Sequence, residues 1–98
     1  MNRVLERSEI ERELEALPGW AFTDQMLKRD VDAPDFPTAI RIVDSIAAVA
    51  EEMDHHPDID IRWCTLRFAL STHSAGGVTS LDFDLAQHIS RITDQQIG

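Results

Sequence analysis

Along the chain the apolar residues switch between helical spacing and strand alternation, and the switches fall at proline, glycine or polar clusters. Ile10, Leu14 and Leu17 recur at helical spacing behind Ser8 and Glu11, which have the form of a capping box, and Pro18-Gly19 ends that run. Trp20-Ala21-Phe22, a polar Thr23-Asp24-Gln25 and then Leu27, Arg29 and Val31 in alternation predict a short hairpin with one buried face. Asp35 is placed to cap a second helix with Pro37 in its first turn. From Thr38 to Met53 its apolar face is read as Ile40, Val43, Ile46, Ala47, Ala50 and Met53, with Arg41, Asp44, Glu51 and Glu52 opposite. That helix should end near His56, because Pro57 disfavours helical geometry in the residue before it.

Ile61 to Thr72 is rich in β-formers, with Cys64, Leu66, Phe68 and Leu70 on one side. The pattern fits either one long strand or a hairpin breaking near Trp63-Cys64. After a Ser74-Ala75-Gly76-Gly77 turn, Thr79 with Asp82 three positions later predicts the start of a third helix carried by Leu81, Leu85, Ile89 and Ile92. Helix, two strands, helix, one or two strands, helix is the order of an α+β domain whose helices cover one face of an antiparallel sheet.

Size and composition narrow the function classes. Ninety-eight residues hold one small domain, and 43% hydrophobic with 28% charged residues excludes disordered and low-complexity classes. The longest apolar run, Ile46 to Ala50, is far short of the roughly 20 residues that cross a bilayer, and no apolar signal core opens the chain, so a soluble, cytoplasmic protein is expected. A net charge of −9 argues against nucleic acid or membrane as the main partner. The charge is spread evenly, with five basic and nine acidic residues up to position 37 and four and nine beyond it. Cys64, the single cysteine, excludes an internal disulfide and is read as a small buried hydrophobe.

Candidate chemistry gathers at element ends. His55 and His56 sit at the predicted C-terminus of the second helix, where the dipole favours an imidazolium, with Glu51 one turn before His55. His73 follows the strand end Leu70-Ser71-Thr72 and precedes two glycines. Asp82 has a plain alternative as a capping acid, the adjacent histidines as a hydrated helix end, and His88 as a partly buried helix residue. Metal binding fits poorly, since neighbouring helical histidines point about 100° apart and no His-x-His or His-x-x-x-His pair is present. No nucleophile elbow or phosphate loop appears either. What remains is proton transfer to an uncharged polar heterocycle, with histidine as acid or base and no metal or redox cofactor.

The run Glu51-Glu52-Met53-Asp54-His55-His56-Pro57, followed by Ser71-Thr72-His73-Ser74-Ala75-Gly76-Gly77-Val78-Thr79 and Asp82, resembles the signature of the pterin-4a-carbinolamine dehydratases, in a bacterial-type form. The likeness covers Trp20 and most of the chain from the second helix to Ala86. It implies a four-stranded antiparallel sheet with three helices on one face, a hairpin within Ile61 to Thr72, and a homodimer or homotetramer. It also implies loss of water from a 4a-hydroxytetrahydropterin. On that resemblance His55 and His73 would be general acids on opposite ring faces and His56 would orient the pterin. Asp82 would orient a histidine, Glu51 would tune His55, Pro57 would support the site, and Asp54, Ser71, Thr72 and Ser74 would line the pocket. The family also implies a rival role, since one member stabilises dimers of a transcription factor and some bacterial relatives act in assembly.

Overall fold

The computed structural model describes residues 3–98. Helix α1 (Arg7–Leu14) leads into β1 (Ala21–Thr23) and β2 (Met26–Asp32). Helix α2 (Phe36–Met53) is followed by β3 (Asp58–Arg62) and β4 (Thr65–Leu70), and α3 (Ser80–Ile97) closes the fold. The strands form one antiparallel sheet in the order β1-β2-β4-β3, so the α+β architecture read from the pattern is the observed one. The open choice over Ile61 to Thr72 resolves as a hairpin turning at Trp63-Cys64, where Trp63 takes a left-handed φ of 54°. The β1–β2 turn has Asp24 and Gln25 both at positive φ, the geometry whose twist matches that of the strands it joins.

One apolar cluster joins the layers. Leu27 and Val31 of β2 and Leu66, Phe68 and Leu70 of β4 share one sheet face and meet Ile10 of α1, Ile42 and Ile46 of α2, and Phe83, Leu85 and Ile89 of α3. The opposite face carries Lys28, Asp30, Asp58 and Arg67, none of them buried, so the three helices cover one side of the sheet. Each fully buried large side chain contributes about 1.5–3 kcal/mol, against under about 1 kcal/mol for exposed ion pairs such as Arg62 with Asp60. Burial, and not surface charge, therefore holds the layers together.

Three local expectations are corrected. Helix α1 is capped by Glu6, whose N–H donates to Glu9 Oε1 at 3.0 Å, and not by Ser8 and Glu11, because the chain is already helical at Ser8. The buried stripe of α2 runs through Thr38, Ala39, Ile42, Ile46 and Ala50, while Ala47 is exposed and Ile40 and Val43 are half-buried. Two adjacent apolar stripes merged in the sequence pattern, and the sheet selected one. Cys64 lies in the β3–β4 turn, half-buried, and not within a strand.

Candidate active site

The end of α2 decides where its two histidines go. Asp35 caps the helix by accepting the N–H of Thr38, as expected, but the helix stops at Met53, before either histidine. Exposed Asp54 adopts a left-handed conformation with φ 51°, and the N–H groups of Asp54 and His55 both close on the carbonyl of Ala50. This termination satisfies the last carbonyls and turns the chain sharply. His55 is directed inward, 8% exposed, whereas His56 faces out and half-buried Pro57 leads directly into β3.

Facing the end of α2, Thr79 is the N-cap of α3 and Asp82 its third residue, a capping box at the positive end of the helix dipole. Asp82 is fully buried. Its Oδ2 accepts the Thr79 N–H and the Thr72 hydroxyl, each at 2.9 Å, and its Oδ1 lies in a hydrogen bond with His55 Nε2 at 2.6 Å. The Thr72 and Thr79 hydroxyls are 2.7 Å apart, and Thr79 Oγ1 also accepts from the Leu81 N–H. Asp82 is thus both a capping acid and the partner of a buried histidine, and that histidine is His55.

His73 stands immediately beyond this network. The Thr72 N–H bonds to the Gly77 carbonyl and the Thr72 carbonyl accepts from Ala75 and Gly76, closing a tight loop with Gly76 at φ 83°. Gly77 is needed for a different reason, since a Cβ there would come within 2.9 Å of Val4 in the segment that bonds to Val78. The loop holds His73 exposed on a cleft of about 250 Å³ lined by Asp24, Gln25, Met26, Ser71, His73, Gly76 and Gly77.

The expected residues therefore fall into three groups. His55, Asp82 and Thr72 form the buried network. Ser71 and His73 share the cleft, with Ser74 exposed beside them. His56 and Glu51 form a pair on the surface, Nε2 to Oε1 at 2.6 Å, so Glu51 meets His56 and not His55 as helix spacing had implied. The premature end of α2 is the reason, because the one-turn relation between Glu51 and His55 exists only if the helix continues. Sequence reasoning missed Thr79 as more than a cap, and missed Asp24, Gln25 and Met26 as a wall beside His73. Pairing of Leu27 with Leu70 brings the β1–β2 turn to the strand end before His73, and no local signal announces that pairing. Among the described residues no group of three or more His, Cys, Asp or Glu side chains is placed to hold a metal ion, and no helix is long and apolar enough to cross a membrane.

Comparison with known proteins places this arrangement in a wider set. The family model described as pterin 4 alpha carbinolamine dehydratase matches residues 3–92. A protein of Nocardia farcinica, provisionally named a pterin-4-alpha-carbinolamine dehydratase, is 48% identical over 89 residues, covering 91% of this chain and 94% of its own. One from Roseiflexus castenholzii with the same provisional name is 46% identical over 92 residues, covering 94% and 99%. A crystal structure from Brucella melitensis, described as a transcriptional coactivator/pterin dehydratase, superposes with a TM-score of 0.90 at 34% identity and covers 93% of this chain and 99% of that one.

Proposed function

The chain belongs to the pterin 4 alpha carbinolamine dehydratase family, and from that membership we propose that it is a hydro-lyase that removes water from a 4a-hydroxytetrahydropterin. In this reading its 98 residues act as one catalytic domain, cytoplasmic and assembled as a homodimer or homotetramer, in recycling of a pterin cofactor. The observation that carries it is the His55–Asp82 hydrogen bond at 2.6 Å, which ties a buried histidine to the carboxylate that also bonds Thr72, the residue between Ser71 and His73 of the cleft.

The dehydration breaks the C4a–O bond, whose electron pair leaves with the hydroxyl. That group takes one proton and departs as water. N5 loses its proton, and the freed pair forms the C4a=N5 bond of the quinonoid dihydropterin. One proton is given and one taken, so the protein ends the cycle in its starting charge state. Histidine, with a reference pKa of about 6.5, serves either direction at neutral pH. His55 and His73 are assigned the proton transfers from opposite sides of the ring. His56, held by Glu51, is assigned to bind and orient the substrate, with Asp54, Ser71 and Ser74 on the rim.

Purified protein should accelerate the decay of synthetic 4a-hydroxytetrahydropterin, and joint replacement His55→Ala with His73→Ala should remove the acceleration. A wild type that does no better than buffer overturns the proposal. A second reading, a protein-interaction role, is favoured by one observation, the apolar stripe on α2 that is exposed at Phe36 and Ala47 and half-buried at Ile40 and Val43. The Brucella melitensis relative is described with both roles.

A further inference from the structure

Thr72 stands between Ser71 and His73, both of which line the cleft, yet its own side chain does not join them. It is 5% exposed and its hydroxyl is spent inside the fold. Counting protons gives the network a direction. The Thr72 hydroxyl has one proton, and it goes to Asp82 Oδ2. The 2.7 Å contact between the two hydroxyls must then be donated by Thr79, whose oxygen in turn accepts from the Leu81 N–H. Protons therefore run from Thr79 to Thr72 to Asp82, and Asp82 takes a further one from the Thr79 backbone and one from His55.

We propose that Thr72 and Thr79 are positioning residues, whose one-way hydrogen-bond chain fixes the Asp82 carboxylate so that His55 keeps its proton on Nε2 and turns Nδ1 to the substrate. This rests on the dehydratase reading of the same site. With both oxygens of Asp82 saturated by donors, a flipped His55 ring would set a C–H against Oδ1 and lose the 2.6 Å bond, so one ring orientation and one tautomer survive. Among the described residues Nδ1 of His55 has no hydrogen-bond partner, and the only fully buried side-chain polar atom left unpaired is Thr93 Oγ1, so Nδ1 is not sealed off completely. It is the nitrogen free to exchange a proton with a bound ring. The Asp82 carboxylate behind it faces whatever positive charge the imidazole gains. Thr72 thus acts through Asp82 and His55, in place of the pocket-lining role its position in the motif implied.

The test combines ¹⁵N NMR of the imidazole rings with steady-state kinetics on the full chain. In the wild type, neutral His55 should show the Nε2–H tautomer, and a predominant Nδ1–H tautomer overturns the proposal without any variant. Thr72→Val keeps the shape and deletes the donor. It should lower kcat about tenfold, the worth of one hydrogen bond to a charged group, leave KM within about twofold, and give His55 mixed tautomers. Thr72→Ser should restore both readouts, and Thr79→Ser, which keeps cap and donor, should match the wild type. A Thr72→Val protein with unchanged kcat and tautomer refutes the chain. So does loss of activity in both the Val and Ser variants with His55 unchanged, which would assign Thr72 to packing. Absence of dehydration in the wild type sinks the dehydratase reading alone, because the NMR arm still decides whether the chain sets the tautomer.

Discussion

His55 and His56 are neighbours in the chain and opposites in environment, and one dihedral separates them. The left-handed Asp54 turns His55 onto Asp82 and leaves His56 to Glu51. The pairing of residue types was legible in the sequence, because acids near histidines at element ends stand out. The partner assignment was not, because it depends on where α2 stops, and a helix one turn longer would have put Glu51 beside His55. A second acid is governed by contacts just outside a helix. Arg3 donates to both oxygens of Glu9 at 2.8 and 2.9 Å and the Glu6 N–H adds a third bond, which together hold the Glu9 carboxyl at about 2, well below its ordinary 4.5. A carboxyl depressed by folding stabilises above its ordinary value, and its contribution fades as pH falls from there through about 2. An NMR titration should find the Glu9 midpoint near 2, and Arg3→Ala should move it toward the usual carboxylate range. A midpoint near 4.5 in the wild type would contradict the clamp.

Between elements, the site depends on contacts that no single helix or strand contains. Thr72 after β4, Asp82 on α3 and His55 after α2 converge through side chains 10 and 27 residues apart in sequence. The capping box Thr79–Asp82 was readable from its spacing alone, since capping is local physics, but its second use by His55 was not. A similar tie fastens α3 to the first hairpin. Ser90 Oγ accepts the Trp20 indole N–H at 2.8 Å and an Arg29 N–H at 2.9 Å. Ser90→Ala leaves two partly buried donors without that acceptor, and the indole, on a residue 7% exposed, has little access to water. Denaturant unfolding should show a loss of about 1–3 kcal/mol. Unchanged stability would mean that water replaces the hydroxyl. Arg29 falls in the middle of the alternation that buries one face of β2, and Ser90 explains how a cation occupies that face.

The whole molecule has one apolar cluster fed by all three helices and by β2 and β4, with Phe22 of β1 and Ile59 of β3 packed against it, so it should unfold as a unit. Trp20 lies in that cluster while Trp63 is 78% exposed at a hairpin tip. In a Trp63→Phe background, indole fluorescence from Trp20 and far-ultraviolet circular dichroism should therefore share one midpoint, and separated transitions would reveal independently melting parts. At this scale the −9 charge lies on an ordinary surface, with both acids and bases on the open sheet face, around a site built from histidines and hydroxyls. Periodicity, caps and turn residues determined the elements, their order and the α+β class, because helix and strand spacing and end-capping act within a few residues. The histidine motifs likewise marked the segments that meet in the candidate site. Only the tertiary structure decided which stripe of α2 is buried, which acid meets which histidine, and that Asp24, Gln25 and Met26 stand beside His73. Those choices are made by strand register and by a helix end packed against a distant loop, interactions between residues that share no local pattern.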